Sequence, residues 1–325
     1  MYKLLFSSFF CFSLLNANSS KDVDKYSSIS PMFTGPILAP SVATVGPGQF
    51  FIEPYLWFND SIGYYNNHWH LHRSKEVSAS IQQIIYTYFG INSYMDLILT
   101  PQFTFNYDKY EHEGYADSWR VSDFQICLDF QILKQKKDLF TPNIKFNITE
   151  TLPIGSYQHL NPAKLTSDIS GGGSFATNIG LVVGKKWHIY RDSFLSARTN
   201  ASCSLFTPVR VHGLNAYGGD STTSGTVHPG TTFNFLLSGE YNFLKNWALA
   251  LDISNTWALK TKFNGITADS MTNTGSYILS LAPGIEYNYS ENIGILGGVW
   301  FSVIGKNTPE FMNGVIILTW GGSFE

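Results

Sequence analysis

The chain is short of charge. Of its 325 residues only 14% are Asp, Glu, Lys or Arg, against about 25% in an ordinary soluble domain. Cysteine is scarce as well. Three in the whole length exclude a disulfide-stapled scaffold. There is no excess of base, since 21 Lys and Arg face 24 Asp and Glu for a net charge of −3. The electrostatic footprint of a nucleic-acid binder is therefore missing. Beyond the N-terminus no run approaches the ~20 consecutive apolar residues of a membrane-spanning helix. Aromatic side chains are plentiful: 25 Phe, 18 Tyr and 8 Trp. With 44% hydrophobic residues, the composition is neither disordered nor collagen-like.

The first 18 residues read as a secretory signal peptide. Lys3 supplies a positive charge, Leu4 to Leu15 an apolar block too short to span a bilayer, and Asn16-Ala17-Asn18 a small-residue cleavage region. Residues 19–48 are rich in Ser, Pro and Gly and lack periodicity. They are expected to form a tether outside the following domain or a plug within it. The run Ile37-Leu38-Ala39-Pro40 suits a plug, because it needs cover.

Residues 49–325 alternate apolar and polar residues over unusually long stretches. Met95, Leu97, Leu99, Pro101, Phe103, Phe105 and Tyr107 share one face, and Asp96, Ile98, Thr100, Gln102, Thr104 and Asn106 the other. Ile316, Leu318, Trp320 and Phe324 repeat the pattern at the C-terminal end. Strands in soluble proteins are about half as long, whereas long alternating segments parted by turns mark a transmembrane barrel. The pattern predicts an all-β chain folded as a single antiparallel outer-membrane barrel of about twelve strands, at 49–59, 77–89, 94–107, 119–132, 141–152, 174–187, 194–208, 231–243, 246–258, 275–288, 292–304 and 313–324. Connections alternate between long (60–76, 108–118, 153–173, 209–230, 259–274, 305–312) and short, as expected for outer loops and periplasmic turns. Strand 77–89 is the least regular, and a bulge near Gln82-Gln83 is expected to restore its phase. Phe89, Tyr94, Phe130, Phe140, Trp187, Tyr190, Phe194, Tyr241, Trp247, Tyr287 and Phe324 fall at periplasmic strand ends and are expected to form an interfacial girdle.

Two stretches carry a family resemblance. One is Gly35-Pro36-Ile37-Leu38-Ala39-Pro40 followed by Gly46-Pro47-Gly48 and Phe51-Ile52-Glu53-Pro54-Tyr55. The other is Leu152-Pro153-Ile154-Gly155-Ser156-Tyr157 with Asn161-Pro162 and Gly172-Gly173-Ser174. In these, and in length and strand rhythm, the chain resembles the outer-membrane proteins grouped under the meta-pathway of phenol degradation, a transporter family. The resemblance implies a barrel and passage of small or aromatic compounds, and it supplies no catalytic residues. Such barrels usually end on an aromatic residue read by the barrel-assembly machinery. Here Phe324 is followed by Glu325, but it stays in phase with Trp320, so assembly is expected.

The alternation turns nine charged residues inward: Glu53, Asp96, Asp123, Asp129, Lys145, Arg198, Glu240, Asp252 and Glu286. Seven acids and two bases line the lumen, mostly towards the periplasm, with Asp123 higher. They are expected either to satisfy one another as a packed polar floor or to form an acidic constriction favouring cations. Arg198 is the expected central counter-charge. In the first outer loop His68, His70 and His72 fall on one face if extended, a pattern able to ligate Zn, Cu or Ni. Cys127 is predicted to face inward and Cys203 the lipid, so no disulfide joins them. No Gly-x-Ser-x-Gly, phosphate-binding loop or His-Glu-x-x-His is present, and no outward strand position sets His beside Ser. No enzyme activity, cofactor or nucleic-acid partner is expected. The expected partners are the lipid bilayer, the assembly machinery and small solutes. The expected function is passive passage of small solutes, hydrophobic and aromatic ones among them, through the outer membrane of a Gram-negative cell. The alternative is a closed barrel whose outer loops bind partners or metal.

Overall fold

The computed structural model describes residues 33–324 apart from 139, 192, 268–270 and 272–273. The expected signal peptide, residues 1–18, and residues 19–32 lie outside the described residues. Seventeen strands follow in chain order: β1 Gln49–Tyr65, β2 Leu71–Asn92, β3 Met95–Thr100, β4 Gln102–Tyr110, β5 Gly114–Val121, β6 Phe124–Leu133, β7 Asn143–Leu152, β8 Ala176–Tyr190, β9 Ser193–Phe206, β10 Val209–His212, β11 Ser224–His228, β12 Thr232–Leu244, β13 Trp247–Ala258, β14 Lys262–Ile266, β15 Ser276–Asn288, β16 Ile293–Lys306 and β17 Thr308–Ser323. Strands β3 and β4 are halves of one wall strand, as are β5 and β6. The wall therefore has twelve antiparallel staves, and β1 closes it by pairing with both β2 and β17. Closure is what lipid demands, because hydrocarbon offers no partner to an unpaired edge. Strands β10, β11 and β14 form a separate three-stranded sheet from two outer loops. Its small core comprises Val209, Val211, Val227 and Met271.

All twelve expected strands are present, and the two faces separate as their alternation requires. On β17 Ile316, Leu318 and Trp320 are exposed to lipid, while Val315, Ile317 and Thr319 are buried. The break between β3 and β4 falls at Pro101, which has no N–H to donate. Opposite it, the register slips by one residue between the pairs Thr100–Gln125 and Phe103–Val121. Ser122 N bridges the slip by donating to Gln102 O at 2.9 Å.

Several expectations are corrected. There is no bulge at Gln82-Gln83; β2 runs through it in regular register with both neighbours. Gln83 faces outward between Leu56 and Phe103, and Ile84 turns inward onto an apolar cluster. Three of the expected long loops are mostly strand: the hairpins β1–β2, β4–β5 and β16–β17 continue to 65/71, 110/114 and 306/308. Above the membrane the hydrogen-bond ladder persists, but no lipid selects the outer face, so the alternation fades. Among the girdle residues Tyr94, Phe140, Tyr190, Trp247 and Phe324 are exposed. Phe194 instead is 6% exposed and turned inward with Ser196 and Arg198, its ring 4.9 Å from that of His188.

Candidate functional site in the lumen

The lumen has a periplasmic floor and an outer vestibule. The floor is built around residues 33–48, which have no regular secondary structure until Gly48 meets the wall. A buried segment without a ladder must find other partners for its backbone. Here the wall's side chains supply them. Thr34 N donates to Glu286 Oε2 at 2.8 Å, Leu38 N to Asp252 Oδ2 at 3.0 Å, Thr44 N to Gln131 Oε1 at 2.9 Å and Val45 N to Asp96 Oδ2 at 2.9 Å. Carbonyls are served too, since Arg198 Nη1 donates to Pro40 O at 3.2 Å. Gly48 N closes the run onto Gly90 O at 3.0 Å. The approach is close: a Cβ at Gly90 would lie 1.9 Å from Gly46 O.

The apolar part of the segment is covered as well. Ile37, 3% exposed, packs with Trp57, Ala250, Ala282, Leu296, Val315 and Ile317. One sector of the lumen is therefore apolar. Period-two alternation does not reveal this, because Ala and Leu at inward positions look the same as lipid-facing ones out of phase.

The nine predicted charges divide by role. Lys145 pairs with Asp129 and Arg198 with Glu240, all four deeply buried. The counter-charge is thus shared between two separate pairs and does not converge on Arg198. Asp96, Asp252 and Glu286 have no cationic partner within salt-bridge distance among the described residues and accept backbone N–H groups instead. Glu53, on the face of β1 that carries Tyr55 and Trp57, meets the hydroxyls of Tyr88 and Thr319. Asp123 stands apart at the mouth, where its two oxygens accept Gly155 N at 2.9 Å and Gly172 N at 3.0 Å. Two floor residues escaped the sequence reading. Gln131 is uncharged, yet it joins Thr44 N to the wall carbonyls. Lys186 sits in a Lys-Lys pair whose phase the sequence leaves open; the register sets it opposite inward Ser196, its Nζ 5.0 Å from the Phe33 ring.

Above the floor, residues 153–175 bend over the mouth. Asn106 Nδ2 donates to Ser167 O at 2.9 Å and Ile169 O at 2.7 Å, and Thr166 Oγ1 to Asp108 Oδ2 at 3.2 Å. Tyr217 from the next outer loop donates its hydroxyl to Gly172 O at 2.7 Å, and burial pushes its pKa up to about 12. Between this loop and the wall lies a cavity of about 450 Å³, with Thr166 and Ile169 on one side and Trp300 and Phe311 on the other. From Phe311 a chain of inward rings descends: Trp300 at 4.7 Å, Trp57 at 5.7 Å from Trp300, then Tyr55, Tyr86 and Tyr88 at 5.0 to 6.5 Å steps.

The outer-loop histidines are not gathered. The His68 and His70 rings are 6.5 Å apart, while His72 stacks on Tyr64 and its Nε2 lies 2.8 Å from Asn66 Nδ2. Among the described residues no three His, Cys, Asp or Glu side chains assemble as metal ligands. Cys127 and Cys203 are both free thiols.

No family model and no curated protein matches the chain. Solved structures do. An outer membrane channel from Pseudomonas putida F1 superposes with a TM-score of 0.67 at 12% identity, covering 88% of this chain and all of that one. The transport unit of the autotransporter AIDA-I from Escherichia coli gives 0.46 at 10% identity, covering 85% and 90%. A mutant of the TodX monoaromatic hydrocarbon channel gives 0.41 at 9%, covering 86% and 91%. Only the first similarity is close enough to bear on architecture. The chain has the fold of a closed twelve-stranded outer-membrane barrel.

Proposed function

We propose that the protein is an outer-membrane channel for small solutes whose passage is shut at the periplasmic floor by the segment that precedes its first strand, residues 33–48 acting as a plug. Residues 1–18 export the chain, and the barrel-assembly machinery inserts it in the outer membrane. It performs no chemistry on its solutes. The observation that carries this reading is the set of backbone N–H groups of residues 34–45 held by Glu286, Asp252, Gln131 and Asp96. Such a segment is fixed by a few discrete bonds and one apolar cluster, so it can leave without unfolding the wall. The ring series from Phe311 to Tyr88 lines a route suited to solutes with an apolar or aromatic face.

Planar-bilayer recording of the full chain tests this. Asp252→Ala with Glu286→Ala strips the acceptors from Leu38 and Thr34. A buried unpaired N–H costs about 1–3 kcal/mol, so losing two weakens closure by about 3 kcal/mol, or roughly 100-fold in open population. The wild type is expected to open rarely and the double variant persistently. Equal silence from both, in protein shown to be folded by heat-modifiable migration, would favour a solid barrel that acts through its outer loops.

A further inference from the structure

The outer cavity has a chemistry of its own, distinct from the ionic floor. We infer that it is a binding site for a small uncharged ring compound bearing several hydroxyls, stacked on Trp300 before it passes inward. This rests on the channel reading and names the class of solute.

The platform is rigid. Trp300 Nε1 donates to Ser280 Oγ at 2.9 Å. Its ring makes T-shaped contacts with Phe311 and Trp57, at 4.7 and 5.7 Å with interplanar angles of 64° in both cases. Trp300 lines the cavity, where an indole offers a contact surface to a flat or puckered ring.

Facing it are side chains that both donate and accept. Asn59 Nδ2 is committed to Ser80 Oγ at 3.1 Å, which leaves its Oδ1 without a protein partner among the described residues. Asn313 is complementary: its Oδ1 accepts Asp60 N at 3.3 Å, and its Nδ2 has no such partner. A hydroxyl can serve both, donating to Asn59 Oδ1 and accepting from Asn313 Nδ2. Ser61 and Ser80 add further hydroxyls to the lining.

Charge narrows the class. Of the two acidic residues along the lining, Asp108 is buried and Asp60 shares the outward phase of exposed Phe58, and no Lys or Arg joins them. An anion would meet the Asp108 carboxylate and no cationic side chain. The Asp108 carboxylate is 4% exposed and already receives the hydroxyls of Thr166 and Ser78. That leaves little for a cation. A pure hydrocarbon is disfavoured too. Covering two amides and several hydroxyls without replacing their hydrogen bonds costs about 1–3 kcal/mol each, which offsets the roughly 4 kcal/mol gained by burying about 150 Å² of apolar ring. The volume of about 450 Å³ lies within the range of small-molecule sites and accommodates one or two rings.

Two sources share this chemistry, a saccharide and a polyhydroxylated arene, and the probes separate them. The full chain is purified in lauryldimethylamine oxide, since a maltoside detergent would present the ligand chemistry itself. Maltose, catechol and cyclohexanol are titrated by calorimetry. Maltose or catechol should bind at least about tenfold more tightly than cyclohexanol, which has the ring but a single hydroxyl. Trp300→Ala and Asn313→Ala should each weaken that binding about tenfold or more. Trp300→Phe retains a ring face and should stay within about threefold of wild type, which separates loss of the platform from a folding defect. Cyclohexanol binding as tightly as the others, no binding by any of the three, or binding indifferent to Trp300→Ala overturns the inference. Conductance is read separately: a barrel that opens but binds none of the probes keeps the channel and loses this site. One that binds but never conducts keeps the site and loses the channel.

Discussion

The two halves of the lumen are built on different principles. The floor concentrates charge: six acids and three bases, Lys186 among them, surround a segment that has no secondary structure. The vestibule is nearly uncharged, and amides, hydroxyls and aromatic faces line a cavity. Ionised acceptors make strong, few and directional bonds, which suits holding a segment in one place. Neutral groups that donate and accept make many weak bonds, which suits a solute that must arrive and depart. Both halves sit inside one wall with one hydrogen-bond ladder, so the difference lies in the inward side chains and in the segment or loop packed against them.

The largest expected effect lies in the ionic floor. Lys145→Met leaves Asp129 as an uncompensated buried charge, and breaking a buried pair costs about 3–5 kcal/mol. The urea midpoint of the barrel, followed by heat-modifiable migration, should fall clearly. Lys145→Met combined with Asp129→Leu removes both charges and should recover most of the loss. A double variant as weak as the single one would mean that the pair holds the wall for another reason.

Gly90→Val comes next. Its Cβ would sit 1.9 Å from Gly46 O, and overpacking of that kind costs about 1–3 kcal/mol. The segment should yield before the strand does, so open time should rise with little change in the unfolding midpoint. A fall in midpoint with conduction unchanged would show that residues 46–48 belong structurally to the wall.

The smallest effect belongs to the periplasmic turn. The Thr141 hydroxyl and N–H hold the Asp138 carboxyl below its ordinary carboxylate value. Its contribution is present above that ordinary value and is lost as pH falls through the lowered one. Asp138→Asn should therefore have its small effect on the unfolding midpoint at neutral pH and none in strong acid. A difference that persists in strong acid would place the contribution in packing.

Much of this architecture was legible in the residues, for an identifiable reason. Lipid contact imposes period two on every stave, and Met95 to Tyr107 keeps phase even across Pro101. What lipid does not touch was harder to read. The hairpins beyond residues 60, 108 and 305 lose alternation but keep their ladders. Phe194 looks like a girdle ring until register turns it inward. Asp96, Asp252 and Glu286 were legible as inward acids, but their partners were not. Those partners are backbone N–H groups some 50 to 250 positions away, and a backbone amide leaves no trace in a sequence. The Ile37 cluster was suggested by an apolar run in need of cover, while the wall residues that cover it were hidden among lipid-facing neighbours.

The most direct test locks the segment to the wall. A Cβ built at Gly294 lies 3.4 Å from Thr34 Cβ, close to the span of a disulfide. Thr34→Cys with Gly294→Cys, in a chain whose Cys127 and Cys203 are replaced by alanine, should conduct when reduced and fall silent when oxidised, reversibly within one membrane. Traces that do not differ between the two states, whether conducting or silent, would contradict closure by residues 33–48.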